Sequence, residues 1–428
     1  MFPDDSGQSL SMSSTSSSSR SDKTTTSKSN KDKDSLSVQD RARQDSERFR
    51  LEPQQRMDRT WRQWDYSQHP FPCFPCEKDW RDYTVMRTPS KRGLLMIRNM
   101  KTGSSTLGGV AIRIARAMKR KTKPQLPAEM CKVRWDHTPA FQLKFGERIY
   151  DESFLFSFVR EPTKRAMSEF FHFGVSRFKL EPSYENFKQY FRERVFLSNY
   201  FLWDMSLNGF NNEVKNKTKV VQEIMEGYDF IGVTERMDES LVVLKMLLGL
   251  DLNDVLYLAA SKGNGGFDDG AYQGKCHYIV PKYTSPGVEK WLASDEWKAR
   301  VDGDEQLFKA ANRSLELTIE KLGRENVYRE LEEFQQLKQL AMDKCAETTI
   351  FPCTADGNLH VRNHSCLWWD LGCGYQCLDS LRDDYDPVAE ATPPPVQQVN
   401  FAAMKAKLEK KLEKKQKAEG GDDHEDDK

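Results

Sequence analysis

The 428-residue sequence has no long hydrophobic run, no net charge and few apolar residues for its length. Its most apolar stretch, residues 241–250, is interrupted by Lys245 and Gly249, whereas a membrane span needs about 18 apolar residues. The N-terminus has no apolar segment typical of a secretory signal. Because 65 basic residues balance 65 acidic residues, the chain also lacks the basic excess typical of nucleic-acid-binding proteins.

Hydrophobic residues make up 38% of the chain, below the roughly 45–50% typical of globular proteins. The deficit is concentrated at the two ends, since residues 1–50 alone contain 15 serines and almost no aromatic residues. Such a segment cannot bury enough apolar surface to offset its ordering entropy. We therefore expect disorder over 1–58, a folded domain over 59–335, a cysteine-rich extension over 336–386, and a proline-rich linker with a charged tail over 387–428.

Short apolar runs alternate with helix-like segments through the middle of the chain. Buried strands are predicted at 93–97, 154–159 and 228–233, with a short one at 131–134. Apolar residues at helical spacing predict helices at 107–118, 163–173, 237–248 and 307–321. This alternation is typical of an α/β fold with a P-loop-like central parallel sheet flanked by helices.

The segment after the first predicted strand is rich in groups that bind anions. Residues 98–106 read Arg-Asn-Met-Lys-Thr-Gly-Ser-Ser-Thr and open a helix. Free backbone N–H groups and the positive end of the helix dipole favour an anion there. Gly103 lets the backbone approach an anion closely, and Lys101 brings a positive charge. A phosphate-type cradle is predicted, with a Ser/Thr-rich helix cap as the alternative.

This loop is not a Walker A motif. That motif requires Gly-x4-Gly followed by Lys and Ser or Thr, but Gly103-x4-Gly108 is followed by Gly109, and Lys101 precedes the first glycine. ATP hydrolysis is therefore disfavoured.

A second basic segment follows the next predicted strand. It begins with Arg160, where that strand ends, and Pro162 suits the first turn of a helix. Ser168 lies two turns into this helix. Since parallel strands end at one edge of a sheet, Arg160 should lie near the first loop. A surface pair between Arg160 and Glu161 is the alternative.

Taken together, the two segments resemble the nucleotide-binding motifs of sulfotransferases. Lys-Thr-Gly-Ser-Ser-Thr at 101–106 looks like their 5′-phosphosulfate loop, and Arg-Glu-Pro-x-x-Arg-x-x-Ser at 160–168 looks like their 3′-phosphate motif. The likeness is greatest with the carbohydrate sulfotransferases, especially the galactose-3-O-sulfotransferase group and its uronyl 2-O relatives. It extends over about residues 90–330 and includes 231–236 and 312–317.

The resemblance implies transfer of a sulfuryl group from 3′-phosphoadenylyl sulfate (PAPS) to a sugar hydroxyl, without a metal. A galactose-type residue of a glycan, glycolipid or polysaccharide is the favoured acceptor. Arg160 and Ser168 would hold the 3′-phosphate, and Lys101 would also stabilise charge on the leaving oxygen. The residues that would hold the 5′-phosphosulfate are Lys101, Thr102, Gly103, Ser104, Ser105 and Thr106.

His137 is the predicted general base, because relatives place a catalytic histidine between the two motifs and a neutral imidazole can accept an alcohol proton near pH 7. Asp136 could orient its ring. His172 and Glu169 are rival bases, although His172 lies in an aromatic cluster where packing is the alternative. Lys262, in a glycine-rich segment, is a further candidate donor contact; an ordinary surface loop is the alternative there.

Five of the nine cysteines lie between residues 345 and 377, which predicts a disulfide-stapled extension. Four cysteines allow three pairings, and the sequence does not choose among them. The alternative is a metal site that combines Cys373 and Cys377 with Cys73, Cys76 and a histidine at 360 or 364.

The relatives are Golgi-lumen enzymes with an N-terminal anchor, and three glycosylation sequons, at Asn216, Asn312 and Asn363, agree with that route. Residues 1–50 contain no anchor, so a chain without its anchor and a soluble cytoplasmic protein both stay open. The expected partner is a glycan or glycolipid, with no nucleic acid and no encoded membrane association; the oligomeric state is not predicted. A P-loop-like phosphotransferase and a non-catalytic glycan-binding protein are the competing functions.

Overall fold

The structure is a computed structural model that describes residues 57–68, 91–121, 134–193, 198–210, 216–258, 265–268, 275–360, 364–367 and 370–382. The predicted disordered segment 1–58 and the predicted tail 387–428 lie outside these residues, apart from Met57 and Asp58. Met57 and Trp61 are buried in the hydrophobic core.

Four parallel strands form the central sheet: β1 Gly93–Ile97, β2 Arg134–Asp136, β3 Ser153–Val159 and β4 Phe230–Val233, in the order β2-β1-β3-β4. The predicted parallel sheet is therefore confirmed. Every residue of β1, β3 and β4 is buried, as expected for the continuous apolar runs of a parallel sheet. The strand expected at 131–134 lies instead at Arg134–Asp136, and 131–133 fall outside the described residues.

The α-helices of the described residues are α1 Ser104–Lys121, α2 Pro162–Glu169, α3 Tyr184–Glu193, α4 Tyr200–Met205, α5 Lys217–Gly227, α6 Met237–Leu247, α7 Pro286–Leu292, α8 Asp295–Leu322, α9 Arg324–Cys345 and α10 Tyr375–Ser380. Each predicted helix has a counterpart, but α8 is much longer than the predicted 307–321. The predicted domain boundary at 335 lies within α9. None of the described helices is long and apolar enough to cross a membrane.

The helix predicted over 163–173 divides into two parts. Pro162 occupies the first turn of α2, and the carboxylate of Glu161 accepts the backbone N–H groups of Thr163 and Lys164. From Phe170 to Arg177 the chain continues as a π-helix. Such wider turns are rare and are frequent at functional sites.

A short antiparallel hairpin, β5 Gly266–Phe267 with β6 Tyr278–Ile279, packs against the π-helix. The backbone N–H of Val280, next to β6, donates to the hydroxyl of Ser176 at 3.0 Å. The hairpin thereby forms a wall beside the π-helix.

Three disulfides staple the C-terminal part of the described chain: Cys276–Cys353, Cys345–Cys377 and Cys366–Cys373. The predicted disulfide-stapled extension is confirmed in this respect, and the pairing that the sequence left open is now assigned. Because Cys373 and Cys377 both form disulfides, the alternative metal site that required their thiolates is wrong. Cys73, Cys76 and Cys131 lie outside the described residues.

The extension is anchored on helix α1 by a buried ion pair and by close backbone contact. The guanidinium of Arg113 donates to the carboxylate of Asp379 in α10 at 2.9 Å, and both side chains are buried. A Cβ atom at Gly109 would lie only 2.5 Å from the Cα atom of Gly372. A glycine at 109 therefore allows the two backbones to approach.

We predict that Gly109→Ala destabilises the protein by about 2 kcal/mol, because the added methyl group overlaps backbone that cannot rotate away. Thermal unfolding followed by circular dichroism measures the change. The matched control is Gly108→Ala, where the new Cβ would meet side chains rather than backbone, namely Leu371 at 3.2 Å and Arg98 Nε at 3.4 Å. Alanine also gains about 1 kcal/mol of helix propensity there, so the control should unfold near the wild-type temperature. Equal unfolding temperatures for the two variants would contradict this account.

Candidate functional site

The loop between β1 and α1 contains residues with positive φ angles and is held by hydrogen bonds to strand β3. Lys101 and Gly103 have positive φ angles of 66° and 77°. A lysine in this region costs roughly 1–2 kcal/mol, so neighbouring contacts must hold it there. The side-chain amide of Asn99 supplies part of that support by donating to Ser157 Oγ at 3.0 Å and to the Phe158 carbonyl at 2.8 Å. The loop is thus fastened to strand β3.

The hydroxyl groups of this loop do not all point to the same place. Thr102 is buried, and its hydroxyl donates to the Asn99 carbonyl at 2.9 Å. Ser105 donates to a carboxylate oxygen of Asp370, in the cysteine-rich extension, at 2.5 Å. Ser104 and Thr106 are partly buried in the first turn of α1. Two of the four predicted anion-binding hydroxyls therefore donate their protons within the protein.

Arg160 lies at the end of β3 and contacts the loop, as the strand order requires. Its Nη1 atom donates to the Lys101 carbonyl at 3.1 Å, and its Nε atom lies 3.6 Å from the carboxylate of Glu235. The Glu161 carboxylate, the alternative partner, caps helix α2, and its charge also acts on Arg160. Ser168 lies in the last turn of α2 and is partly buried.

Lys101 is surrounded by other cations. Burial lowers the pKa of its ammonium group to about 7, and the positive charges of Arg177, Arg160 and Lys282 act in the same direction, with Glu169 opposing them. A cluster of like charges around a buried lysine is a site that an anion would stabilise.

Arg177 and Lys282 were not singled out by the sequence. Arg177 reaches the site because it ends the π-helix, and its guanidinium and the Lys101 ammonium lie over the ring of Phe173, at 5.1 and 6.0 Å from its centre. The Arg177 guanidinium also contacts Asp268 beside β5 at 3.3 Å. In the sequence, the only indication that these two residues belong to an anion site was their positive charge.

His137 follows β2, next to the end of β1. Its Nδ1 atom bonds to the backbone carbonyl of Arg98, and because a carbonyl only accepts, Nδ1 carries the proton. In the neutral ring, the lone pair then lies on Nε2. The residue is exposed at the surface, yet protein atoms crowd its ring, and this desolvation together with Arg98 and Lys101 lowers its pKa to about 3. The imidazole is therefore neutral at pH 7. The side chain of Asp136 is not among those described.

The two rival bases have different surroundings. Burial, with the charges of Lys101, Arg177 and His277, lowers the pKa of His172 to about 2, and the ring packs against Phe173. Glu169 forms a buried ion pair with Arg165 at 2.6 Å. The carboxylate therefore balances the buried charge of Arg165.

The remaining predicted contact, Lys262, lies outside the described residues. Among the residues that are described, no three His, Cys, Asp or Glu side chains are grouped as metal ligands would be. The site therefore consists of three strand-end segments around a cationic centre, with an imidazole at its border.

Comparison with known protein families identifies a family for this chain. The family model of galactose-3-O-sulfotransferases matches residues 141–355, which is just over half of the 428 residues. The match includes Arg160 and Ser168 and begins after His137, so it is shorter at its start and longer at its end than the likeness over 90–330. Neither the curated proteins nor the solved structures gave a match. On the strength of the family match, the chain belongs to the galactose-3-O-sulfotransferase family, whose members transfer a sulfuryl group to a carbohydrate.

Proposed function

We propose that this protein transfers the sulfuryl group of PAPS to a hydroxyl of a galactose-type sugar. The observation that carries the proposal is the convergence of Lys101, Arg160 and His137 at one edge of the sheet, around a cationic centre. PAPS carries phosphates at both ends of its ribose and would be attracted by these charges. Family membership supports sulfuryl transfer. The position of the cradle, between the end of β1 and the N-terminus of α1, supports the choice of an anionic donor.

The two anionic ends of the donor would bind to different segments. In this proposal, the 5′-phosphosulfate lies at the loop of residues 101–106, where the N-terminus of α1 and Lys101 favour negative charge. Arg160 and Ser168 hold the 3′-phosphate. Because the Ser105 hydroxyl donates its hydrogen bond to Asp370, the backbone N–H groups and Lys101 contribute more to anion binding by the loop than its hydroxyls do.

The chemistry is an in-line displacement at sulfur. The acceptor oxygen forms a bond to sulfur as the bond from sulfur to the bridging oxygen breaks, and the negative charge passes to that oxygen of the leaving nucleotide. Lys101 stabilises this developing charge. His137 Nε2 accepts the proton of the acceptor hydroxyl. An anionic donor beside the ring also raises the pKa of His137 from its low value, which makes it a stronger base.

The compartment proposed is the Golgi lumen. Three disulfides are expected in an oxidising compartment and are rare in the cytosol. Asn216, the first residue of one sequon, is exposed at the start of helix α5, where a glycan could be attached. A glycan or glycolipid acceptor is the partner that family membership implies.

We predict that PAP, the desulfated donor, raises the melting temperature of the protein, whereas ATP with Mg²⁺ does not, because a ligand stabilises only the state that binds it. Differential scanning fluorimetry over a range of PAP concentrations tests this. A shift with ATP–Mg²⁺ and none with PAP would favour a phosphotransferase and contradict the proposal.

We predict that PAP binding weakens as pH rises from 7 to 9. Lys101 is only partly protonated above its pKa of about 7, and bound PAP favours the charged form, so binding must take up a proton. Affinity should fall by up to about tenfold per pH unit. Because phosphate has its second pKa near 6, PAP itself is ionised throughout this range.

The matched variant is Lys101→Arg, whose guanidinium stays charged and should remove this slope. Isothermal titration calorimetry at each pH measures this slope, and an equal slope in both proteins would exclude Lys101 as its source.

Lys101→Ala should lower kcat/KM by more than about 100-fold, as expected when a transition-state charge contact is lost.

We predict that His137→Gln reduces kcat by about 100-fold or more while PAP affinity stays near the wild-type value, because the residue acts on the acceptor proton. The comparison variant is His172→Gln, which should change kcat by less than about tenfold. Turnover with labelled PAPS and a galactose-terminated glycan measures both. If His172→Gln loses activity and His137→Gln keeps it, the base has been assigned to the wrong histidine.

A further inference from the structure

We propose that Thr234 and Glu235, in the 3₁₀ turn after β4, are positioning residues that hold the two donor-binding segments in their mutual arrangement. This inference rests on the proposed function. The turn, Thr234–Arg236, lies within the segment 231–236 that resembles the family but has no role assigned so far. Neither residue needs to touch the reacting atoms.

Thr234, which follows β4, contacts both the end of β3 and the loop after β1. Its hydroxyl oxygen lies 3.1 Å from the Thr102 carbonyl and 3.0 Å from the Val159 carbonyl. Both carbonyls only accept, so the single hydroxyl proton is shared between the loop after β1 and the last residue of β3. Since β4 pairs with β3 and not with β1 in the described sheet, this hydroxyl reaches beyond the neighbouring strand to the loop itself.

Glu235 acts on the other half of the donor site. Its carboxylate accepts the backbone N–H of Glu161 at 3.3 Å and lies 3.6 Å from Arg160 Nε. Arg160 in turn donates from Nη1 to the Lys101 carbonyl. The guanidinium is thus held from two sides, by a carboxylate after β4 and by the loop after β1, and its direction is fixed by both.

The turn also closes over the loop at a third point. A Cβ atom at Gly103 would lie 2.8 Å from Cε of Met237, the residue that follows the turn. Thr102, Gly103 and Arg160 are thus all contacted by residues 234–237. The positive φ angles of Lys101 and Gly103 flank the carbonyl that Thr234 holds, so this contact bears on the strained part of the loop.

The turn has its own anchors, which do not involve the donor site. Ser240 Oγ accepts the backbone N–H of Val233 at 3.0 Å. The guanidinium of Arg236 pairs with Glu239 and, at 2.7 Å, with Glu316 in α8. Removing the Thr234 hydroxyl should therefore leave the turn folded while the loop loses one of its supports.

The test compares Thr234→Val, which keeps the shape and removes the hydroxyl, with Thr234→Ser, which restores it. Thr234→Val should weaken PAP binding about 5–10-fold and raise KM for PAPS, with KM for the acceptor unchanged. Thr234→Ser should recover most of the affinity. Glu235→Gln, which keeps the side-chain size and removes the charge, should weaken PAP binding about threefold or more. Glu239→Gln, which removes an anchor of the turn but no contact to the loop, should bind PAP like the wild type.

PAP binding by these variants distinguishes a positioning role from a purely structural one. If wild-type protein binds PAP and both Thr234→Val and Glu235→Gln bind it equally well, the positioning role is wrong while the proposed function stands. A lower melting temperature with unchanged PAP affinity would show a purely structural role and overturn the inference. Tighter binding by Glu235→Gln would mean that Glu235 competes with the 3′-phosphate for Arg160, which would overturn its positioning role. If wild-type protein does not bind PAP, the proposed function fails and this inference fails with it.

Discussion

The parallel direction of four strands is the constraint on which the rest of this structure depends. Because every strand ends at the same edge, the segments that follow β1, β2, β3 and β4 meet there. They are far apart in the sequence, since 137 positions separate Ile97, at the end of β1, from Thr234, after β4. Those segments carry Lys101, His137, Arg160 and Thr234. The site is therefore a consequence of topology first, and of individual contacts second.

Gathering cations at one edge works against the folded state unless an anion is present. The charges of Arg177, Arg160 and Lys282 all lower the pKa of Lys101, and Glu169, which opposes them, is paired with Arg165. The low pKa of Lys101 and its left-handed backbone both reflect a loop kept in an arrangement that it would not adopt alone. Such pre-organisation is useful when the ligand brings several negative charges, because little rearrangement is then needed at binding.

The sequence predicted those parts of the fold that depend on local patterns. β1 was predicted with its exact ends because Gly93–Ile97 is a continuous apolar run, and Pro162 marked the start of α2. It did not predict contacts that depend on distant segments. The π-helix at Phe170–Arg177 has no distinct sequence signal, yet it brings Arg177 to Lys101. The disulfide pairing likewise followed only from the three-dimensional structure, since spacing alone permits several pairings.

The cysteine-rich extension contacts and supports helix α1 and the loop after β1, where the donor is proposed to bind. Asp379 pairs with Arg113 in α1, Gly372 packs against the same helix, and Asp370 accepts the Ser105 hydroxyl at its first turn. The Ser105 hydroxyl has one proton, which points to Asp370 in this hydrogen bond. Only the lone pairs of the hydroxyl oxygen could then face an anion, and lone pairs repel an anion. Of the four loop hydroxyls proposed to bind the donor, Thr102 and Ser105 are thus engaged within the protein, which leaves Ser104 and Thr106 beside the backbone N–H groups and the cations. Asp370 and Asp379, like the loop and helix α1 that they support, lie outside residues 141–355, which the family model matches.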